Sequence, residues 1–519
     1  MFRIFELIIA VLAFAATSAG EGLPDGAIRR IGGDAASDPL RGVYLVVYSP
    51  DGKLLATRSR DQIVRLWDTE TGKERFELDG HEDRVTSLSF SRDGRVLATT
   101  SSGNNEAVRL WDTATGKTTQ QLKHGGIIVQ FLPDGQSLLV INSTKVIYYD
   151  AKSYEEKKSV PLDLSPSMTP LALSPDGKSL ACYKSHPSGN AEFDVFVREI
   201  EGGVQNQLAR LKASPVVGRF SPNGKQLIVS CRREESIHVF NLGDAITYGV
   251  RQAHDAQTQS IAFSPDGRLL ATASWDNTVR LWDVLTDGVV ATLSGHTEHV
   301  CAVTFSANGQ RLASGASGPT DNSTLLWDVR RVLFGAEEEQ SELTDEELSR
   351  IWQELALEST RAFRAMSKLI CNPSESTPYI VNRVKDMVLA SDAQSIMRLI
   401  VELDSDEFRV RESAHRKLID LRVIAEAQLR KALEETDSFE VKSRIKQILA
   451  QTKSEKELTE AERRRIHRMI HAMELIGTQE MKQQLGTIAS GFPNTEIIAT
   501  ARDAVDRLSA AKSATNEQN

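Results

Sequence analysis

The sequence predicts two fold classes in one chain, an all-β repeat region over 26–335 and an all-α region over 345–510. Three observations predict this. A unit of short apolar strands and tight turns recurs seven times before residue 330. Four units end on Leu-Trp-Asp, at 66–68, 110–112, 281–283 and 326–328. Beyond residue 345 the apolar residues fall at helical spacing instead.

The best-preserved unit, residues 260–283, reads as three strands joined by two turns. Ser260–Phe263, Arg268–Ser274 and Thr278–Asp283 are the strands. Ser264-Pro265-Asp266-Gly267 and Trp275-Asp276-Asn277 are the turns, where Pro presets φ and Asp bonds its own backbone. The first turn supplies a marker for the whole region, at Asp51, Asp93, Asp134, Asp176, Asn223, Asp266 and Asn308. The steps between markers are 42, 41, 42, 47, 43 and 42 residues. A period of about 40–45 with a Trp-Asp ending is the signature of propeller blades. Degenerate endings hold the same place at 148–150, 197–199 and 239–241.

The unit resembles a WD40 repeat, and seven markers imply a seven-bladed WD40 β-propeller. The resemblance implies a rigid platform for partners rather than a catalyst. Ligands would sit mostly on the narrow face, formed by the loops joining blades and the second-to-third strand turns. It also implies that the sequence repeat is offset from the blade. Residues 26–33 align with segments preceding other blades, so Ile28–Ile31 is expected to pair with 324–328. An open ring would leave a sheet edge unpaired.

One polar constellation recurs. It is His254, Ser274, Asp276 and Trp282 in the sixth blade, and His296, Ser317, Asp321 and Trp327 in the seventh. The resemblance implies a chain of hydrogen bonds from indole to hydroxyl to imidazole to carboxylate. Such a network stabilises only when complete, because a buried polar group without a partner is costly. The first blade has Ser59, Asp61 and Trp67, with Gly33 or Asp34 where the His would stand; the second has His81 and Trp111. Ser, His and Asp together suggest a hydrolase, but their repetition, their Trp partner and the missing G-x-S-x-G elbow assign them to structure. No catalytic, cofactor-binding or metal-ligating residue is assigned, and no cofactor is expected.

What remains is surface. Trp275, then Arg60, stands just before a turn Asp and should project from the narrow face, where an exposed Trp is a good binding hot spot. The expected function is a non-catalytic protein–protein interaction scaffold, with a second surface on the helical region. The alternative is an enzyme or small-ligand sensor at the central channel, with Glu298 and His299 as its nearest candidates.

Residues 1–19 resemble a secretory signal, with Arg3, an apolar core over Leu7–Ala16 and small residues for cleavage after Ala19. Ten apolar residues are too few for a stable span, which needs about 20. The expected destination is therefore outside the cytoplasm, in a periplasm, cell envelope or extracellular space. A net charge of −9 argues against a nucleic-acid partner and leaves protein partners. Cys182, Cys231, Cys301 and Cys371 have no C-x-x-C spacing and read as buried thiols.

An acidic linker over 336–344 leads into the helices, and Thr344 with Glu347 makes a capping box. Segments 405–418 and 437–449 superpose with a period of 31, and 495–505 is similar to both. The region resembles HEAT-type repeats, in which neighbouring helix pairs bury one another's apolar faces. His467, His471 and Glu474 share one helix face but lack the H-E-x-x-H pattern and read as surface or interface residues. Residues 511–519 are expected to be disordered. The order of signal, propeller and helical tail is similar to a group of exported bacterial WD40 proteins.

Overall fold

The computed structural model describes residues 23–32, 41–101, 108–162, 168–185, 192–242, 246–284, 288–334, 343–357, 359–389, 393–420, 422–452, 459–492 and 494–516. Residues 1–19, expected to be a signal, and most of the expected linker over 336–344 lie outside these residues. The chain divides into two compact units, Met1–Gly335 and Ala336–Asn519.

The first unit contains seven four-stranded antiparallel sheets. The innermost strands are β2 (Val43–Tyr48), β6 (Val85–Phe90), β10 (Ile128–Phe131), β14 (Met168–Leu173), β18 (Pro215–Phe220), β22 (Thr258–Phe263) and β26 (Val300–Phe305). Each touches the next and β26 touches β2, so the ring is closed. The strands bury residues on both faces, as a blade held between two neighbours must. Leu55, Leu66, Leu97, Leu110 and Leu138 are fully buried, each stabilising by about 1.5–3 kcal/mol.

Six sheets use four consecutive strands. The seventh takes β26, β27 (Arg311–Ala316), β28 (Thr324–Asp328) and, from the other end of the unit, β1 (Ala27–Ile31). Ile31 lies opposite Thr324 and Arg30 opposite Leu325, the closure expected from the offset repeat. The register slips between Ala27 and Arg29, so Ile28 bulges outward and is exposed.

The recurring turn works through its serine. Ser264 donates its hydroxyl to Asp266 at 2.5 Å and accepts the Leu269 N–H at 2.9 Å. The same pairing joins Ser49 to Asp51, Ser91 to Asp93, Ser174 to Asp176, Ser221 to Asn223 and Ser306 to Asn308. One hydroxyl thus holds the turn and starts the next strand. A short helix, α1 (Val329–Phe334), ends the unit.

The second unit is helical: α2 (Asp345–Glu354), α3 (Ser359–Cys371), α4 (Pro373–Leu389), α5 (Ala393–Glu402), α6 (Phe408–Asp420), α7 (Arg422–Glu435), α8 (Phe439–Thr452), α9 (Glu460–Ile476), α10 (Gln479–Gly491) and α11 (Thr495–Asn516). Thr344 and Glu347 form the capping box of α2, and Thr459 and Glu462 that of α9. α5–α8 share a core of Ile396, Leu403, Leu418, Leu429, Ile445 and Ile448. α9 returns to pack on α3, and α10 on α4. Arg468 of α9 is buried and donates to the carbonyls of Leu355 and Leu357 at 2.8 and 2.7 Å. It places a cation where the carbonyls at the end of α2 gather. These returns depart from the chain-ordered stacking that the HEAT resemblance implies. α11 runs to Asn516, through Ala-rich sequence with no Gly or Pro to stop it, and residues 517–519 lie outside the described residues. Among the described residues, no helix is long and apolar enough to cross a membrane.

Candidate functional site: the narrow face of the propeller

The polar constellation forms, with one substitution of partners. In the sixth blade the Trp282 indole N–H donates to Thr272 Oγ1 at 2.9 Å. Thr272 Oγ1 lies 2.7 Å from His254 Nε2, and His254 Nδ1 lies 2.8 Å from Asp276 Oδ2. The carboxylate can only accept, so Nδ1 carries the proton and Nε2 accepts from the hydroxyl. The bridging hydroxyl is therefore Thr272, not Ser274. In the seventh blade it is Ser314, not Ser317: Trp327 donates to Ser314 Oγ at 2.8 Å, and His296 Nε2 is 2.8 Å from it. His296 Nδ1 is 2.8 Å from Asp321.

The reason lies in the register. Leu270 stands opposite Trp282 and Thr272 opposite Arg280 on β23 (Leu269–Ser274) and β24 (Thr278–Asp283). The indole reaches the same-face position two residues along its partner strand. Ser274 lies two residues further, at the strand end. There it accepts from the Asp276 N–H and donates to Ala256 O, both at 3.1 Å. The first and second blades agree: Trp67 donates to Thr57 at 2.8 Å, not to Ser59, and Trp111 to Thr99 at 2.9 Å. His81 meets Thr99 at 2.6 Å. Asp61 pairs with Arg65 at 2.7 Å, and Gly33 and Asp34 lie outside the described residues. The missed signal was an Ala-Thr or Ala-Ser pair at 56–57, 98–99, 271–272 and 313–314.

Burial pushes the His254 pKa down and outweighs the pull of Asp276, so the imidazole stays neutral. Burial alone would raise Asp321, but the His296 hydrogen bond and charge, with Ser323, hold it well below the usual carboxylate range. Asp276 is lowered too, by Thr278 and His254 against burial. Thr272, His254 and Ser314 are fully buried, so the networks brace blades and offer no exposed nucleophile.

The surface candidates lie elsewhere. Trp275 is 40% exposed, and its ring stacks on His299 with centroids 5.3 Å apart. The Trp275 carbonyl accepts from His299 Nδ1 at 2.8 Å. Two residues along β26, the Cys301 thiol is pushed up to about 11 by burial, opposed by Trp275 and Arg58. Arg58, on β3 (Leu54–Ser59), is 5% exposed, and its guanidinium lies 5.2 Å from the Tyr44 ring centroid. Its Nε has no hydrogen-bond partner among the described residues. Burial, then the charge of Arg84, brings its pKa down to about 10, which leaves it a cation at neutral pH. Arg60 and Arg84 are exposed beside it in sequence and across the blade gap. A strip of Trp275, His299, Cys301, Arg58, Tyr44 and Arg84 thus runs over blades six, seven, one and two. Sequence reasoning found Trp275 and Arg60 but missed Arg58, whose alternating strand position looks like any other.

The channel candidates are otherwise engaged. Glu298 accepts from Thr320 at 2.7 Å, and His299 belongs to the strip. Arg219, on inner strand β18, is exposed and donates to the Gly218 carbonyl at 2.9 Å. On α9, Glu474 is held by Arg507 through two hydrogen bonds of 2.6 and 2.9 Å, and His467 faces Glu496 at 3.5 Å. That helix face is a packing surface.

Comparison with known proteins agrees with the geometry. The family description "WD domain, G-beta repeat" matches residues 37–68, 72–112, 247–283 and 288–328. The chain is 26% identical over 299 residues to the WD repeat-containing protein WDS homolog of Arabidopsis thaliana, covering 55% of each protein. It is 25% identical over 258 residues to periodic tryptophan protein 2 of the same plant, covering 49% of this chain and 23% of the relative. The chain therefore spans about half the length, or less, of these curated relatives. Among solved structures, a chain of Kuenenia stuttgartiensis hydrazine synthase aligns with a TM-score of 0.48 at 17% identity, covering 58% of this chain and 99% of that one. Likeness at that level says nothing about activity. The protein carries WD40 repeats, built as a seven-bladed β-propeller and followed by a region of several helices.

Proposed function

We propose that this protein is a non-catalytic interaction scaffold whose propeller binds a protein partner on its narrow face. The observation that supports this most is the strip from Trp275 to Arg84. It joins a half-exposed aromatic pair to a buried guanidinium with no carboxylate paired to it among the described residues. A desolvated cation beside aromatic surface suits a segment carrying a carboxylate next to an apolar side chain. The resemblance to WD40 platforms points the same way.

The helical unit would add a second surface. Val401, Phe408 and Phe439 are 69, 65 and 86% exposed, on helices α5, α6 and α8 that share one core. The apparent signal segment supports a place in the cell envelope or beyond. A random-peptide display selection on the full-length protein tests the narrow-face reading. Enriched peptides should carry Asp or Glu beside an aromatic or aliphatic residue and lose at least tenfold in affinity on Trp275→Ala and on Arg84→Ala. Peptides bound equally by both variants would move the site off this face.

A further inference from the structure

A second site emerges from the fifth blade, which lacks the Trp, hydroxyl and His of the polar chain. Its second-to-third strand turn joins β19 (Gln226–Cys231) to β20 (Ser236–Leu242). Cys231 occupies the strand-end position held by Ser59, Ser101 and Ser274 in blades one, two and six. His238 stands opposite Val229 as Arg280 stands opposite Thr272, so a histidine replaces the arginine that pairs with the turn acid elsewhere.

The turn is one residue longer than in blade six, since Ser230 pairs with Ile237 where Ala273 pairs with Val279. Arg233 takes the left-handed region in this turn, with φ of 60°, as Asn277 does in the shorter turn of blade six. The Arg233 N–H is held by Gln257 Oε1 at 2.7 Å, and the Glu234 N–H turns back to the Cys231 carbonyl at 3.4 Å. Glu234 is thereby folded over its own hairpin, with its carboxylate 2.6 Å from His238 Nε2. The donor atoms of Cys231, Glu234 and His238 all lie within 4.8 Å of one another.

We propose that Cys231, Glu234 and His238 form a binding site for a divalent cation of the zinc type. Sulfur, imidazole nitrogen and carboxylate oxygen are the three ligand types that such an ion takes, at about 2.0–2.3 Å. Tetrahedral ligands at those lengths stand roughly 3.3–3.7 Å apart, so small side-chain rotations bring the three donors into place. Cys231 is fully buried and His238 nearly so, whereas Glu234 is half-buried and opens the site to the narrow face. A water would complete the four-coordinate shell. On binding, the thiol releases its proton to solvent, and the ion takes the place of the hydrogen bond between His238 and Glu234. The site is separate from the strip on blades six to two and does not depend on it.

The test is a cobalt(II) titration of metal-stripped full-length protein. One equivalent should produce a near-ultraviolet thiolate-to-cobalt band. Cys231→Ser should abolish the band, and His238→Gln and Glu234→Gln should each weaken binding at least tenfold. Because the chain has three other cysteines, a band that survives Cys231→Ser overturns the proposal, as does the absence of any band at stoichiometric metal. Glu234 is the least buried ligand, so Glu234→Gln keeps the test open if the buried variants misfold. Zinc should also raise the propeller's melting temperature in the native sequence; no shift at saturating zinc would count against the site.

Discussion

Replacing Thr272 with Val should uncouple Trp282 from His254 at nearly constant volume. The hydroxyl is fully buried, accepts the indole N–H at 2.9 Å and serves His254 Nε2 at 2.7 Å. Its loss leaves a buried donor and a buried acceptor without partners, each costing about 1–3 kcal/mol. The expected loss is about 2–6 kcal/mol of propeller stability. A stability loss alone would not identify the partner, since Ser274→Ala also removes buried hydrogen bonds. A double-mutant cycle does. Trp282→Phe should couple to Thr272→Val by about 1 kcal/mol or more and to Ser274→Ala by less than ~0.5 kcal/mol. Urea unfolding of the full-length protein, followed by tryptophan emission, reads this out. Trp67, Trp111, Trp275 and Trp327 report on the propeller even when Trp282 is gone, and only Trp352 lies in the helical unit. Additivity between Thr272→Val and Trp282→Phe would refute the bridging role.

Three further outcomes are expected. The lowered pKa of His254 means that it binds fewer protons folded than unfolded, and Asp276 and Asp321 behave likewise. Stability should therefore fall as pH drops, first below about 6.5 and again below about 4; urea midpoints across that range check it, and His254→Asn should flatten the upper step. Ile31→Ala, at a position only 2% exposed on the closing strand, should cost about 2–4 kcal/mol and open the seventh blade to limited proteolysis. Thr459→Ala should remove the α9 capping box and about 1 kcal/mol, seen in thermal melts of the helical signal with the propeller transition unchanged.

The propeller was legible because its period is carried by local chemistry: each Ser-x-Asp-Gly turn is fixed within six residues of sequence. Ring closure was legible because an edge must be paired, though the bulge at Ile28 was not, since nothing in the strand's own sequence marks it. The bridging hydroxyl was misplaced by two residues in the sixth blade and by three in the seventh, where Ser317 lies just past the strand end. The sixth-blade slip is a same-face error: alternation distinguishes inward from outward, and Thr272 and Ser274 point alike. Arg58 escaped notice because a buried cation is defined by what surrounds it across two blade gaps. The helical order escaped because amphipathic spacing says which face is buried and not which helix covers it; Arg468 finds its carbonyls more than 100 positions away.

The pairing of β1 with β28 also sets a clock. Roughly 300 residues separate the two strands, and at about 5–20 residues per second a ribosome takes on the order of 15–60 s to supply the second after the first. Throughout that interval the closing strand has no native partner. Joining such distant segments costs about 3 kcal/mol more in chain entropy than closing a ~10-residue hairpin. The six locally paired sheets can assemble as they emerge, while the ring stays an open arc until its last strand arrives. Nascent chains arrested before residue 324 should therefore expose β1 to proteases and chaperones, and those released after residue 328 should protect it.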